Sequence, residues 1–253
     1  LWKQGMALVA LAAAVGAWCF SLALAKPPSG GGSGGTAYTI AKLDDANGTY
    51  ECYARNVNNL RDVVGQVKDV KTSELRAAYW EVSGSGASVQ SQLIPLIGGR
   101  RADSINDLGE IVGYGKDANG QTVGLYWPSA AAPPLPLPSL NANMPSGASA
   151  ISNDGVVCGS SGGQAVAWRV NWAGGQPSVW GPLPLPTLDD ASFALAVSNN
   201  DEDGSAQIVG RFAVAVGQST TAVAWTVQSL PDGTLAVDPL PRIVEAGEAQ
   251  ALG

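Results

Sequence analysis

The chain contains no histidine. That absence excludes Ser-His-Asp and Cys-His nucleophile activation, imidazole acid–base work and His-ligated zinc or iron. Cysteine is scarce as well: there are 3 in 253 residues, and Cys19 lies in an apolar leader, so no Cys-rich metal site can be built. No Gly-rich phosphate loop of the required spacing occurs. Charged residues make up only 14% of the chain, and 14 basic against 21 acidic residues give a net charge of −7. Nucleic acid and anionic membrane surfaces are thereby disfavoured as partners. Beyond the N-terminus no stretch of useful length shows the 3.6-residue apolar period of a helix.

What the chain does have is a sentence repeated four times. The first copy reads Ala54…Val57-Asn58-Asn59, Val63-Val64-Gly65, Trp80, Leu93-Ile94-Pro95-Leu96. The second is Ala102…Ile105-Asn106-Asp107, Ile111-Val112-Gly113, Trp127, Leu135-Pro136-Leu137. The third is Ala148…Ile151-Ser152-Asn153, Val157-Cys158-Gly159, Trp168, Leu183-Pro184-Leu185, and the fourth Ala194…Val197-Ser198-Asn199, Ile208-Val209-Gly210, Trp225, Leu240-Pro241. The glycines at 65, 113, 159 and 210 are 48, 46 and 51 residues apart, a period that marks stacked repeats. Each period divides into four short strands with turn formers between them, such as Asn106-Asp107-Leu108-Gly109 and the Asn119-Gly120 hairpin signal. The proline-bearing fourth strand belongs at a sheet edge.

The predicted fold is therefore all-β: a β-propeller-like array of four-stranded meanders, open or incomplete. Its units are expected at about 54–97, 102–141, 148–189 and 194–244, with a partial fifth at 249–253. The four tryptophans should be buried between sheets, and the repeated glycine should permit close backbone approach. The ending Ala249-Gln250-Ala251-Leu252-Gly253 places Leu252 where Ile105 stands. The expectation is a chain that continues into further blades.

The segment Ser104-Ile105-Asn106-Asp107-Leu108-Gly109-Glu110-Ile111-Val112-Gly113-Tyr114, followed by Leu125-Tyr126-Trp127, resembles the HAF repeat of extracellular bacterial proteins. The resemblance covers residues 37–253. Ser152 and Ser198 depart from its Asn, the fourth copy has a longer first turn, and the name-giving His-Ala-Phe is replaced by sequences such as Val166-Ala167-Trp168. It implies a propeller-like secreted or surface protein and no particular chemistry.

Residues 1–25 read as a signal peptide. Lys3 begins it, an apolar run extends to Leu24, and Ala23-Leu24-Ala25 offers a small-x-small cleavage site. An uncleaved anchor is the other reading of the same run. Residues 26–36 form a Gly/Ser-rich linker, and residues 37–253 form the repeat domain. Cys52 and Cys158 occupy different places in their units, so both a disulfide and two free thiols are open readings.

Carboxylates are the remaining route to hydrolysis. Asp44, Asp45, Glu51, Asp107, Glu110, Asp189, Asp190, Asp201, Glu202 and Asp203 are available, mostly in turns, and no pair stands out. One loop is similar to the calcium loops of FG-GAP propellers. In it Asn199, Asp201, Asp203 and Gln207 alternate around Gly204, so that several hard oxygens can face one ion. With Asn199 and Gln207 in place of carboxylates, the expected calcium affinity is weak. The functional expectation is an exported, non-catalytic binding or cell-surface module, monomeric, for an extracellular ligand. The alternative is a secreted carboxylate-dependent hydrolase acting on polysaccharide.

Overall fold

The computed structural model describes residues 21–22, 40–84, 88–187, 191–213 and 221–244. Every regular element among them is a β-strand. Strand β1 (Ser21–Leu22) pairs antiparallel with β2 (Ile40–Ala41). The remaining residues of 1–39, like residues 249–253, lie outside the described residues.

Four antiparallel meanders follow, none of them closed on itself. Unit 1 consists of β3 (Tyr50–Val57), β4 (Val63–Asp69), β5 (Leu75–Ser83) and β6 (Gln90–Pro95). Unit 2 consists of β7 (Gly99–Ile105), β8 (Ile111–Lys116), β9 (Thr122–Trp127) and β10 (Leu135–Pro136). In unit 3 the strands are β11 (Ser146–Ile151), β12 (Val156–Ser161), β13 (Gln164–Ala173) and β14 (Gln176–Pro184). Unit 4 has β15 (Ala191–Val197), β16 (Ser205–Ala213), β17 (Thr221–Ser229) and a divided fourth strand, β18 (Leu235–Val237) and β19 (Arg242–Val244), both paired with β17. The proline-bearing strands β6, β10 and β14 lie at sheet edges, as expected of segments that lack donors.

The turns follow their residues. Gly174 and Gly175 are both at positive φ (59° and 77°), the two-residue geometry whose twist matches that of the flanking strands. At Asn119-Gly120 only the glycine is at positive φ. There the loop is longer, and the Asp117 carboxylate accepts the N–H groups of Asn119 and Gln121, an Asx turn.

The apolar cores lie between sheets. Each first strand packs on the second and third strands of the preceding unit: β7 on β4 and β5, β11 on β8 and β9, β15 on β12 and β13. The two aliphatic residues before each glycine point to opposite sides. Val63, Ile111, Val157 and Ile208 join the core containing their own unit's tryptophan, whereas Val64, Val112 and Cys158 face the next unit. Cys158 thus fills an aliphatic position, and burial pushes its thiol up to about 12. Cys52 and Cys158 are not joined in a disulfide.

Trp80, Trp127, Trp168 and Trp225 are fully buried at equivalent positions. Their Nε1 groups donate to the carbonyls of Asp44, Ile97, Pro138 and Pro186 at 2.7–2.9 Å. Each acceptor follows a buried leucine: Leu43, Leu96, Leu137 or Leu185. Leu43-Asp44 therefore stands in front of unit 1 as the end of a unit would, a role its sequence did not announce. In unit 4 the register partner of Val223 is Ile243, matching Pro95 opposite Ala78, Pro136 opposite Leu125 and Pro184 opposite Val166. Leu240 is 80% exposed and lies in the break between β18 and β19.

Because no described unit precedes β3, its apolar face is open. Val57 is 52% exposed, whereas its counterparts Ile105 and Ile151 are 5% and 6% exposed.

Candidate functional site

The first strands of all four units line a central cleft of about 750 Å³. The residues that reach into it are set by a backbone irregularity repeated in every unit. Pairing jumps from Ala54↔Gly65 to Asn56↔Val64, and in the same way past Asp103, Ser149 and Leu195. Arg55, Asp103, Ser149 and Leu195 are thus β-bulge residues, left out of the ladder and re-aimed by the local kink. The repeated glycine sits opposite each bulge. A Cβ there would lie 2.0–2.1 Å from the carbonyl oxygens of Tyr53, Arg101, Gly147 and Phe193, so only glycine admits the approach.

At the bulge row the cleft is charged. The Asp103 carboxylate lies 2.9 Å from Arg55 Nε and 2.9 Å from Arg101 Nε. The Asp103 side chain is only 7% exposed, against 44% for Arg55 and 31% for Arg101. Burial raises the Asp103 pKa above its ordinary value and outweighs the two guanidiniums, which pull it down. Arg101 also stacks over the Tyr114 ring, 4.6 Å from its centroid.

A belt of hydrogen bonds joins the first turns of neighbouring units at one end of the cleft. Asn59 N–H donates to Asp107 Oδ1, Asp107 N–H to Asn153 Oδ1, and Asn153 N–H to Asn199 Oδ1, at 2.7–2.8 Å. Asp107 Oδ2 accepts the side-chain amides of Asn59 and Asn153 as well. The backbone N–H of Asn59 leads the three donors that hold the Asp107 carboxyl below its ordinary pKa. Beneath this belt, Asn58 and Asn106 each do two things. Their Oδ1 atoms close their own turns, and their Nδ2 groups donate to the Asn106 and Ser152 carbonyls of the next unit at 3.1 and 3.0 Å. Ser152 and Ser198 are shorter and close only their own turns.

The acids singled out from the sequence serve mostly as structure. Glu110 is buried and accepts from Asn106 Nδ2, Tyr126 Oη and Trp172 Nε1 at 2.6–2.7 Å. Nearby, burial lowers the Arg169 pKa while Asp154 and Glu110 oppose the shift. Asp44 accepts the N–H groups of Ala46 and Leu93, Asp45 pairs with Lys42, and Glu51 with Lys68. Asp189 and Asp190 lie outside the described residues. The loop from Asn199 to Gln207 is an Asx-type turn in which Asp203 Oδ1 accepts Ser205 N–H. Asn199 Oδ1 is engaged by unit 3, and Gln207 exchanges hydrogen bonds with Thr226. Asp201 and Asp203 thus remain in the turn, while the Asn199 and Gln207 side chains are engaged elsewhere. No group of three or more Cys, Asp or Glu residues suited to a metal occurs among the described residues.

Arg55, Asp103 and Arg101 are the site residues that sequence reading missed. A signal was present: the residue after each repeated alanine is Arg, Asp, Ser or Leu in a frame that otherwise repeats. No family model, curated protein or solved structure matches the chain. The likeness to HAF repeats rests on the repeated motif alone.

Proposed function

We propose that the chain is an exported, non-catalytic binding or cell-surface module of the HAF-repeat type, with the central cleft as its ligand site. The carrying observation is the convergence of four bulge residues, one from each unit, on one polar cleft. Bulges commonly aim side chains at functional sites, and loop-rich ends of propellers serve many unrelated purposes. The leader supports export, which mass spectrometry of the secreted protein tests through a new N-terminus at Lys26.

The hydrolase reading calls for two carboxylates on either side of a glycosidic bond. Of the two cleft acids, Asp107 already accepts three hydrogen bonds and Asp103 is paired with two arginines, which favours binding over catalysis. Retention on immobilised polysaccharides, measured together with reducing ends released into solution, separates the two. Binding without release is expected. Release that disappears in Asp103→Asn would establish the hydrolase instead.

A further inference from the structure

We propose that Arg55 and Arg101 seat the carboxylate of an acidic saccharide, a uronic acid residue, with Asp103 as the positioning residue; this rests on the cleft being the binding site. The geometry is layered. The Asp103 side chain is nearly buried, while the two arginine side chains it holds are a third to nearly half exposed. One buried anion thus fixes two cations side by side in the lining of the cleft.

Each arginine meets Asp103 through Nε at 2.9 Å. A guanidinium has five N–H donors in a planar fork, and the terminal amino groups of both arginines take no partner among the described residues. Two adjacent forks match the two oxygens of a carboxylate, the geometry in which charge-assisted hydrogen bonds are strongest. The stack of Arg101 on Tyr114 limits its rotamers before any ligand arrives, which lowers the ordering cost of binding.

Charge also fits. Arg55 and Arg101 against Asp103 leave one uncompensated positive charge in the bulge row. Asp107 is four residues further along, at most about 13 Å away at strand spacing, with its oxygens occupied by amides. The negative charges elsewhere on the protein are screened beyond about 8 Å at physiological salt. A short acidic ligand is therefore admitted where an anionic polymer surface is not.

The groups around the arginines favour a sugar as the carrier of the carboxylate. Asn56, Ser149 and Asn199 line the cleft, and the Asn56 and Asn199 side-chain amino groups and the Ser149 hydroxyl take no partner among the described residues. Side-chain amides and hydroxyls donate and accept, as sugar hydroxyls do.

The test uses the whole secreted chain, ¹⁵N-labelled, titrated with tri-galacturonate, the uncharged tri-galactoside and tri-glutamate. Tri-galacturonate is expected to shift the amide signals of the bulge row and to bind at least tenfold more tightly than either other probe. Arg55→Gln and Arg101→Gln should each weaken it about tenfold, as befits loss of a hydrogen bond to a charged group. Each variant leaves Asp103 its other arginine, so the melting temperature should fall while the dispersed amide spectrum shows a protein that is still folded. Arg101→Lys keeps the charge without the fork and should recover only part of the affinity. Equal binding of the tri-galactoside would overturn the carboxylate seat and leave the cleft reading standing. Equal binding of tri-glutamate would overturn the saccharide assignment. Shifts with no probe, or shifts confined to residues away from the cleft, would overturn both.

Discussion

The junction between units 1 and 2 and the junction between units 3 and 4 solve one packing problem by different means. At the first, Asn58, Asn59 and Asn56 all bond across to unit 2, and Arg55 pairs with Asp103. At the second, Ser152 and Ala150 stand in place of the crossing Asn side chains, so the first turns are joined by bonds from Asn153 and Asn200 alone, with Asn171 Nδ2 donating to the Gly233 carbonyl and Ala165 N–H to Ser192 Oγ elsewhere along the junction. That junction instead has the most extensive apolar core, where Phe212 meets Trp225 edge to face at 5.9 Å. The pair teaches that the Asn of the repeat is an inter-unit fastener. Where it shortens to Ser, fewer side-chain bonds join the first turns, and burial carries more of the hold.

If that division is right, the largest effect comes from the apolar junction. Trp225→Ala removes the edge contact with Phe212 and the bond to Pro186. It should cost about 3–5 kcal/mol in urea unfolding, the usual range for a buried Trp. A loss under about 1 kcal/mol would show that burial does not dominate there.

The belt is probed by exchanging its residues. Asn106→Ser removes the bond to Ser152 and one donor to the buried Glu110, and should cost about 1–3 kcal/mol. In the opposite direction, Ser152→Asn restores the reach that Asn58 and Asn106 have, and should gain about 0.5–1.5 kcal/mol. A Ser152→Asn protein no more stable than its parent would sever the link between amide length and junction strength.

Acid separates the two aspartates of the cleft. The folded pKa of Asp107 is lowered, so its stabilising contribution is present above the ordinary value of 3.8 and is lost as pH falls through the folded value. Asp103 is raised. The fold opposes its ionisation, and its contribution declines as pH rises from 3.8 through the folded value. Carboxyl carbon NMR should find Asp107 titrating below Asp103, and Asp107→Asn should flatten the acid limb of the stability curve. The reverse order would mean that the arginines outweigh burial at Asp103.

The smallest effect concerns the turn that lengthens unit 4. With two carboxylates, Asp201 and Asp203, any calcium affinity should fall in the range of about 10⁻⁴–10⁻³ M. Replacing both with Asn should remove any calcium-dependent rise in melting temperature and leave the calcium-free protein unchanged. A sub-micromolar affinity would require Asn199 and Gln207 to leave their present partners.

Architecture was largely legible because period, tryptophan and glycine are set by backbone and packing constraints that every unit shares. The aliphatic pair, the glycine and the proline-bearing edge strand could be read for that reason. Three features were hidden by their local surroundings. Leu43-Asp44 has no complete unit before it to give it context. Leu240-Pro241 has the composition of a fourth strand, but the divided strand passes the register to Ile243-Val244. Asp103 looked like one more polar residue, because a bulge breaks the alternation by which a strand's inward positions are recognised.

The bulge has a consequence for how such a protein changes over time. Its residue contributes no hydrogen bond to the ladder, and the glycine opposite supplies the space whatever the side chain. Arg, Asp, Ser and Leu are all tolerated at that place within this one chain. Mutation at these four positions changes the lining of the cleft while the cores between sheets stay as they were. A new cleft chemistry is then one substitution away from a protein that still folds.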